Sequence, residues 1–211
     1  PQGAPVAVTA TNILTRMLRL SQLTGGFLGG DESGTVEQIS TAKLDVLEDI
    51  LDSTMQEGKK LGIIARFLPE LRAISRMAEK KGLQYSMITG AVKNRDEQVQ
   101  RFQNDCQTGS VPDVPVFIGQ IATAGLGLTL TAASTMVFYS EDYSMSNFEQ
   151  TKARIHRVGQ RFPCTYIYLV ATGTVDEKVL AALKDKADLA KTLVDDYRQG
   201  RNPFELTGAG V

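Results

Sequence analysis

The chain has 211 residues, of which 42% are hydrophobic and 22% are charged, a balance typical of a globular domain with a sizeable core. Its formal net charge of -1 argues against a protein that coats nucleic acid through bulk electrostatics, although a local basic groove is compatible with it. No apolar run approaches the length of a membrane span and no leader-like segment starts the chain, so we expect neither a membrane protein nor a secreted one.

The first 58 residues are predicted to form a mostly helical run-in. Apolar residues recur at helical spacing over about 9–24, until Gly25-Gly26 ends the pattern. Residues 27–38 are predicted to form a hairpin or a loop. Ser40 is then expected to start a helix that ends at Gly58.

From Leu61 onward the pattern alternates between strands and helices. Strands are predicted at 61–65, 85–88, 114–118, 135–139 and 165–170. The helices between them are predicted to start at Pro69, near Asn94 with Glu97 completing a capping box, and at 174–177, the last one ending at Gly200. This alternation predicts an α/β domain over 59–200, in which a parallel sheet carries helices on both faces, followed by a tail at 201–211.

A stretch of small residues follows the third predicted strand, where ligands of such sheets bind. Residues 120–131 include Gly125 and Gly127, which allow the backbone to approach a phosphate closely. The third glycine of the dinucleotide fingerprint is absent. A tight turn without a ligand explains the stretch equally well.

Cations also follow the first two strands. Gly90 leads into Lys93 and Arg95 at a helix start, which is a natural site for a phosphodiester, and Arg66 follows the first strand. Solvated charges beside an ordinary capped helix are the alternative interpretation.

The stretch with the most specific pattern is 150–160, with the sequence QTKARIHRVGQ. On a helix, Gln150, Arg154 and Arg157 would share one face, and paired guanidinium groups suit a phosphate chain. A solvated basic helix face is the alternative. His156 is the only histidine, and we expect it to pack or to donate a hydrogen bond.

Other polar residues give weaker signals. Glu141-Asp142 follows the fourth strand and is expected to cap a helix or to pair with the arginines. The two cysteines, Cys106 and Cys164, lack the spacing of metal ligands, so we expect core thiols in a reducing compartment and no metal site. No phosphate-binding loop of the form Gly-x-x-x-x-Gly-Lys-Ser/Thr is present. The arginines are therefore expected to complete a nucleotide site that is built elsewhere.

Residues 150–160 resemble motif VI of Snf2-type superfamily 2 ATPases, whose pattern is Q-x-x-x-R-x-H-R-x-G-Q. Residues 123–133 resemble motif V of that family, with Thr-Ala-Gly in place of the more usual Ala-Gly-Gly, and 63–67 resemble motif IV. Residues 88–95 and Phe102 are similar to the next block of the family, and 18–22 with 42–45 to the run-in to its second lobe. The resemblance spans about residues 10–185.

The resemblance implies the second, C-terminal RecA-like lobe of such an ATPase. Arg154 and Arg157 would be arginine fingers on the γ-phosphate of ATP, with Gln150 organising the site and Gly127 lying beside the nucleotide. The first lobe, in cis or in trans, would hold most of the ATP and its Mg²⁺, so that the chain alone is expected to be inactive. Contacts to the backbone of duplex DNA would come from Arg66, Gly90, Lys93, Arg95, Thr123 and Gly125.

A non-catalytic DNA-binding or regulatory module that retains this fold is the alternative function. The short chain has no room for the large insertions of eukaryotic remodelling enzymes, which favours a bacterial, archaeal or viral protein in the cytoplasm. A eukaryotic protein of this kind would be nuclear.

Overall fold

The chain folds around a parallel sheet with helices on both faces, preceded by a helix and a short hairpin. The computed structural model describes residues 13–29, 36–104, 113–124 and 127–198. The elements are, in chain order, α1 (Ile13–Thr24), β1 (Phe27–Gly29), β2 (Val36–Gln38), α2 (Ala42–Gln56), β3 (Leu61–Ala65), α3 (Leu68–Lys80), β4 (Tyr85–Ile88), α4 (Arg95–Gln103), β5 (Val116–Gln120), α5 (Ile121–Ala124), β6 (Thr135–Phe138), α6 (Met145–Lys152), β7 (Thr165–Tyr168) and α7 (Val175–Arg198).

The five strands of the main sheet are all parallel and lie in the order β4-β5-β3-β6-β7. The first strand of the sheet, β3, is central, so that Ile63 pairs with Ile118 on one side and with Val137 on the other. The chain visits one side of β3 and then crosses to the other, which places a topological switch point at the carboxyl ends of the strands. The α/β fold predicted from the sequence is confirmed.

Alternate residues of the strands face two separate buried clusters. Ile63, Ile118 and Val137 pack with Leu47 of α2 and Leu71 of α3. The opposite cluster joins the other face of the strands to α4, α6 and α7, and it includes Ile64, Phe117, Met136, Phe138, Phe102, Phe148 and Leu183. Both faces of the sheet are thus covered, as the continuously apolar strands require.

The predicted strands differ from the observed ones mainly at their ends. The third strand spans Val116–Gln120 rather than 114–118. Pro115 has no N–H to contribute to a ladder, whereas Gly119 and Gln120 continue the pairing with Ile64 and Ala65. The fourth and fifth strands end at Phe138 and Tyr168, one and two residues earlier than predicted.

The predicted run-in is only partly separate from the sheet. Its hairpin is confirmed by the antiparallel pair β1 and β2, whereas the turn at 30–35 lies outside the described residues. Helical spacing of apolar residues over about 9–24 predicts a buried stripe, but two of these residues, Leu20 and Leu23, are 48% and 37% exposed. Helix α2 begins at Ala42, and its Leu47 and Leu51 are fully buried against the sheet. The domain boundary at 58 stays a prediction, as do the end at Gly200 and the tail at 201–211, which lie outside the described residues.

The remaining general predictions concern cysteines and membrane spans. Cys164 is a free, half-buried thiol that packs against the cluster of α4, α6 and α7, and burial raises its pKa. Cys106 lies outside the described residues. Among the residues that the structure describes, no helix is long and apolar enough to span a membrane.

Candidate functional site

The carboxyl ends of β3, β4 and β5 are joined by one side chain. Gln120, the last residue of β5, donates from Nε2 to the carbonyl oxygen of Arg66 at 3.3 Å. Its Oε1 accepts a hydrogen bond from the backbone N–H of Gly90 at 3.2 Å. The segments that follow three strands are therefore held together at the edge of the sheet where ligands of this fold class bind.

The sequence prediction for 150–157 is wrong in one respect, because these residues do not form one helix. Helix α6 ends at Lys152, and Arg154 N–H bonds back to the carbonyl of Thr151 in a turn. The carbonyl of Arg154 then accepts a hydrogen bond from the N–H of Leu130 at 2.9 Å. Gly159 has a φ of 101°, which a helix does not allow. Pairing with the 127–131 loop thus replaces the continued helix.

Both arginines contact that loop. Arg157 donates from Nη1 to the hydroxyl of Thr129 at 3.1 Å and to the carbonyl of Gly127 at 3.4 Å. Arg154 donates from Nη1 to the carbonyl of Leu128 at 3.5 Å. The structure therefore brings together Arg154, Arg157 and Gly127, three of the residues predicted to lie beside a nucleotide.

The two guanidinium groups affect each other electrostatically. Arg157 is exposed and Arg154 is half-buried. Burial, and then the neighbouring positive charge of Arg157, lower the pKa of Arg154. Since an arginine remains protonated in proteins, this site concentrates positive charge that an anion would relieve.

Gln160 holds the two motifs against each other. Its Nε2 lies 2.8 Å from the carbonyl oxygen of Ala133, 3.1 Å from that of Ile155 and 3.3 Å from that of Thr131. Its Oε1 accepts a hydrogen bond from the N–H of Phe162 at 3.0 Å. The glutamine that ends motif VI is thus a structural link to motif V, a role that the sequence analysis did not assign to it.

Gln150 lies apart from these contacts. It is exposed on α6, and its Nε2 donates to the hydroxyl of Ser146 one turn earlier, at 2.9 Å. Its organising role stays a prediction.

Arg66 is held by aromatic rings. Its guanidinium carbon lies 5.0 Å from the ring centre of Phe67 and 5.3 Å from that of Tyr143, both within the range of cation–π attraction. Within the described part of the chain, its Nη1 is buried without a hydrogen-bond partner. The hydroxyl of Tyr143 in turn lies 3.4 Å from that of Ser21 on α1. Arg66 therefore has unused hydrogen-bonding capacity but a fixed orientation.

The segment after β4 differs from the predicted capping box. Asn94 precedes α4, but its amide donates to the Glu97 carboxylate at 2.8 Å and its side chain caps no backbone N–H. Arg95 folds back, donating from Nε to the carbonyl of Val92 at 3.1 Å and from Nη2 to that of Gly90 at 3.5 Å. Gly90 and Lys93 are exposed.

The predicted residues of motif V have different surroundings. Thr123 is buried, and its hydroxyl donates to the carbonyl of Gln120 at 2.8 Å. This hydrogen bond is local, because Gln120 directly precedes the short helix α5 that contains Thr123. Gly125 lies outside the described residues. Gly127 is exposed and presents its carbonyl to Arg157.

A buried carboxyl group, that of Glu70, and a half-buried one, that of Glu141, lie behind this edge. Burial raises the pKa of Glu70 to about 7, against the hydrogen bonds from Ser140 and from Phe67 N–H that lower it. Burial, and then the nearby Asp176, raise the pKa of Glu141 to about 7. The expected pairing of Glu141 with the arginines stays a prediction.

The N-cap of α6 is Ser144, so the expectation that one of the two acids caps this helix is wrong. Asp142 instead lies just before the helix. Its carboxylate accepts hydrogen bonds from Ser144 N–H at 2.9 Å and from the Asn147 amide at 2.6 Å. The side chain of His156 is exposed. Among the described residues, no three His, Cys, Asp or Glu side chains form a group that could hold a metal ion.

The fold and this edge define a RecA-like α/β lobe. Residues 42–159 match the family model described as the helicase conserved C-terminal domain, which is more than half of the chain. The chain therefore belongs to that family, as a C-terminal lobe of the Snf2 type of superfamily 2.

Its relatives agree with this assignment. The chain is 30% identical over 177 residues to the DNA repair and recombination protein RAD54-like of Danio rerio, an alignment that covers 81% of this chain and 23% of that protein. It is 29% identical over 161 residues to helicase SWR1 of Yarrowia lipolytica, covering 75% of this chain and 9% of that protein. The chain thus spans less than a quarter of the curated relatives it matches.

A solved structure supports the fold. The C-terminal part of the Fun30 ATPase domain has a TM-score of 0.60 to this chain at 21% identity, covering 67% of this chain and 44% of that one. At this identity the likeness concerns the fold alone.

The sequence analysis did not identify two glutamines and one tyrosine that hold the candidate site together. Gln120, Gln160 and Tyr143 work through side chains whose partners are backbone carbonyls or a guanidinium group. The position of Gln120 at the carboxyl end of a strand was a usable signal. Nothing in the spacing of Tyr143 indicates that it lies against Arg66.

Proposed function

We propose that the chain is the second lobe of a Snf2-like DNA-dependent ATPase that translocates on duplex DNA. In this proposal Arg154 and Arg157 act on ATP that a first ATPase lobe holds together with its Mg²⁺. The observation that carries the proposal is the packing of both arginines on the 127–131 loop. A guanidinium group can exchange neutral carbonyl oxygens for phosphate oxygens, to which it bonds more strongly.

The side chains at this site, Arg154 and Arg157, are suited to bind the phosphates of ATP and not its Mg²⁺, because they are hydrogen-bond donors with a positive charge. Two arginines supply donors in the fork geometry that phosphate oxygens accept. During phosphoryl transfer negative charge spreads over the transferred group, and positive side chains placed there lower the barrier. The ATP and its Mg²⁺ would supply the phosphoryl chemistry, while this chain contributes charge and positioning.

The DNA contacts of the proposal lie along the same edge. Lys93 and Gly90 are exposed, and Arg66 keeps an unpaired buried nitrogen among the described residues. Lys93, Arg66 and Arg95 would meet backbone phosphates, which fix register without reading sequence. The 127–131 loop packs on the arginines, and Arg157 bonds to Gly127 and Thr129 of that loop. If motif V contacts DNA, a displacement of the loop by DNA would therefore move the arginines that are proposed to contact ATP.

A reconstituted ATPase tests the proposal. The chain is mixed with the first lobe of its two-lobe protein and with duplex DNA, and ATP hydrolysis is measured. We expect hydrolysis to need both polypeptides, and Arg157→Ala to lower the rate by about 10³-fold or more. Arg76→Ala removes the same charge from the exposed face of α3 and serves as the control.

Two results would reject the proposal. One is the absence of any stimulation by the wild-type chain. The other is a stimulated rate that Arg157→Ala leaves unchanged, which would favour the non-catalytic DNA-binding or regulatory module.

A further inference from the structure

The amide of Gln120 connects the two segments that the proposed function assigns to the DNA backbone. Gln120 ends β5, which lies between β3 and β4 in the sheet. Its Nε2 donates to the carbonyl oxygen of Arg66 after β3, and its Oε1 accepts the N–H of Gly90 after β4. While both bonds hold, these two segments cannot move apart.

The chemistry and the length of this side chain both match the bridge. The Arg66 carbonyl needs a donor and the Gly90 N–H needs an acceptor, and an amide carries both, whereas a carboxylate only accepts and an ammonium group only donates. The two bonds, of 3.3 and 3.2 Å, are already at the long end of the usual range. Asparagine, which is shorter by one methylene, would therefore not reach both backbone groups.

The first of the two segments is also held on its other side. The N–H of Arg66 donates to the hydroxyl of Ser140 at 2.8 Å. Its guanidinium carbon lies 5.3 Å from the ring centre of Tyr143, a residue that follows β6 on the side of β3 opposite to β5. The bond from Gln120 thus acts on an arginine whose side chain already has a fixed orientation.

The second segment is a turn at 89–93. The N–H of Val92 donates to the carbonyl of Thr89 at 3.1 Å, which closes the turn around Gly90. The carbonyl of Gly90 accepts a hydrogen bond from Arg95 Nη2 at 3.5 Å, and Lys93 is exposed. Holding Gly90 in place therefore also fixes the point at which Lys93 leaves the turn.

We infer that Gln120 is a positioning residue for DNA, which sets the distance between the phosphate contacts of Arg66 and of the 89–93 turn. The inference rests on the proposed function, in which both segments contact the DNA backbone. Neighbouring strands lie about 4.8 Å apart, so segments that follow β3 and β4, with β5 between them, are about 10 Å apart. A hydrogen bond spans about 3 Å, and the two segments therefore meet different phosphates.

A fixed distance makes the second phosphate contact easier to form. Once one segment has bound, the other is already held at its own phosphate, so that little further backbone freedom is lost. Gln120 uses both ends of its amide on the protein and acts through Arg66 and Lys93. Arg157 bonds to a different segment, the 127–131 loop, so loss of Gln120 should weaken DNA binding and leave the chemical step intact.

The reconstituted ATPase separates DNA binding from chemistry. Duplex DNA is titrated into the two-lobe mixture at saturating ATP, and the half-saturating DNA concentration and the maximal rate are measured. We expect Gln120→Asn to raise the half-saturating DNA concentration about tenfold, because the two segments no longer bind as one unit, and to keep the maximal rate. Gln120→Met, which removes both bonds with an apolar side chain of similar length, should do the same.

Gln103→Asn is the matched control. The side chain of Gln103 is also half-buried and makes the same two kinds of bond, donating from Nε2 to the hydroxyl of Thr131 at 3.0 Å and accepting the N–H of Ala132 at 2.8 Å. It does so away from the segments of Arg66 and Gly90. We expect this variant to keep the wild-type half-saturating DNA concentration, and circular dichroism checks that every variant is folded.

A double variant distinguishes positioning from general loosening of the fold. Lys93→Ala removes a phosphate contact of the 89–93 turn. If Gln120 acts through that contact, Gln120→Asn should raise the half-saturating DNA concentration much less in the Lys93→Ala background than in the wild-type chain. Effects of the two substitutions that simply multiply would overturn the inference.

The remaining outcomes are equally decisive. If both Gln120 variants keep the wild-type half-saturating DNA concentration while the rate still depends on Arg157, the inference is wrong and the proposed function stands. A loss confined to the maximal rate would place Gln120 in the chemical step and would also overturn the inference. A wild-type mixture without ATP hydrolysis rejects the proposed function, and the inference with it.

Discussion

At the scale of residues, the two arginines of motif VI bond to oxygens that are neutral. Arg157 uses Gly127 and Thr129, and Arg154 uses Leu128. Bonds of guanidinium to a carboxylate or a phosphate are roughly twice as strong as bonds to neutral oxygens. These contacts orient both arginines on the 127–131 loop, and a polyphosphate would offer each of them a stronger acceptor than these neutral oxygens. Because of the same bonds, a movement of either arginine would change the conformation of the 127–131 loop.

A second residue-scale effect is that Glu70 makes the stability of the fold depend on pH. Its pKa is about 7 in the folded chain, against an ordinary value of 4.5. Between these values the folded carboxyl keeps its proton while the unfolded one has lost it, so the free energy of unfolding falls as pH rises. This stability is present in full below about pH 4.5 and is lost by about pH 7. A shift of this size corresponds to about 3 kcal/mol.

We therefore expect Glu70→Gln, which cannot titrate, to remove part of this pH dependence. Urea unfolding at about pH 5 and about pH 7.5 measures it, as the difference between the two free energies of unfolding. Glu141, whose pKa is also about 7, supplies a second share that Glu141→Gln removes separately. Glu37→Gln changes the same charge on the exposed strand β2 and is the control. A Glu70→Gln variant with the wild-type difference would contradict the assignment.

At the scale of elements, the strands were predictable and the end of α6 was not. Runs such as 61–65 are apolar throughout because both faces of the sheet are covered, and that pattern is local in the sequence. The end of α6 at Lys152 depends on the pairing of Arg154 with Leu130, which no local pattern shows. In the candidate site, too, local features were predictable and distant contacts were not. The segments at the strand ends were predicted, whereas the partners of Arg66 and Gln120 come from distant parts of the chain and could not be predicted.

Substitution of the turn residue Gly26 tests how tightly the turn between α1 and the hairpin packs against the segment that precedes α2. Gly26 has a φ of 88°, and a Cβ there would lie 2.4 Å from the carbonyl oxygen of Ser40. Gly26→Ala is expected to cost about 1–2 kcal/mol for the left-handed backbone and about 1–3 kcal/mol more for the displaced backbone at Ser40. The carbonyl of Gly26 accepts the N–H groups of Ile39 and Ser40, so the displacement also weakens these bonds.

Gly58 provides the matched comparison for that variant. Its φ of 65° imposes a similar backbone strain, and a Cβ there would meet nothing within 4 Å. Gly58→Ala should therefore show only the first cost, as measured by denaturant unfolding. Equal losses for the two variants would mean that Ser40 moves aside freely and that the contact at Gly26 is unimportant.

At the scale of the whole molecule, one ion pair joins parts of the chain that are 133 residues apart. Lys43 Nζ of α2 lies 2.6 Å from Asp176 Oδ2 of α7, and their side chains are 9% and 15% exposed. Asp176 also accepts hydrogen bonds from Thr24 Oγ1 at 2.7 Å and from Ala171 N–H at 3.2 Å. Lys43 donates as well to the carbonyl of Tyr139 at the end of β6, at 3.1 Å. The first and last described helices are thus tied to the sheet at one point.

Breaking this pair tests whether residues before 58 fold together with the sheet. Asp176→Ala leaves a buried ammonium group without its partner, and we expect a loss of about 3–5 kcal/mol in the free energy of unfolding. Lys43→Met/Asp176→Leu should recover much of that loss, because no unpaired charge remains. Glu57→Ala breaks the exposed pair with Lys59 and should cost about 1 kcal/mol or less.

The shape of the unfolding curve decides the structural question. Because Lys43 precedes residue 58 and Asp176 lies far beyond it, a segment that folds with the sheet loses its stability in the same transition as the sheet. A single transition that shifts as a whole in Asp176→Ala, measured by far-UV circular dichroism against urea, is the expected result. Two transitions, of which only the weaker shifts, would show instead that the first 58 residues form a unit of their own, held to the sheet by this ion pair.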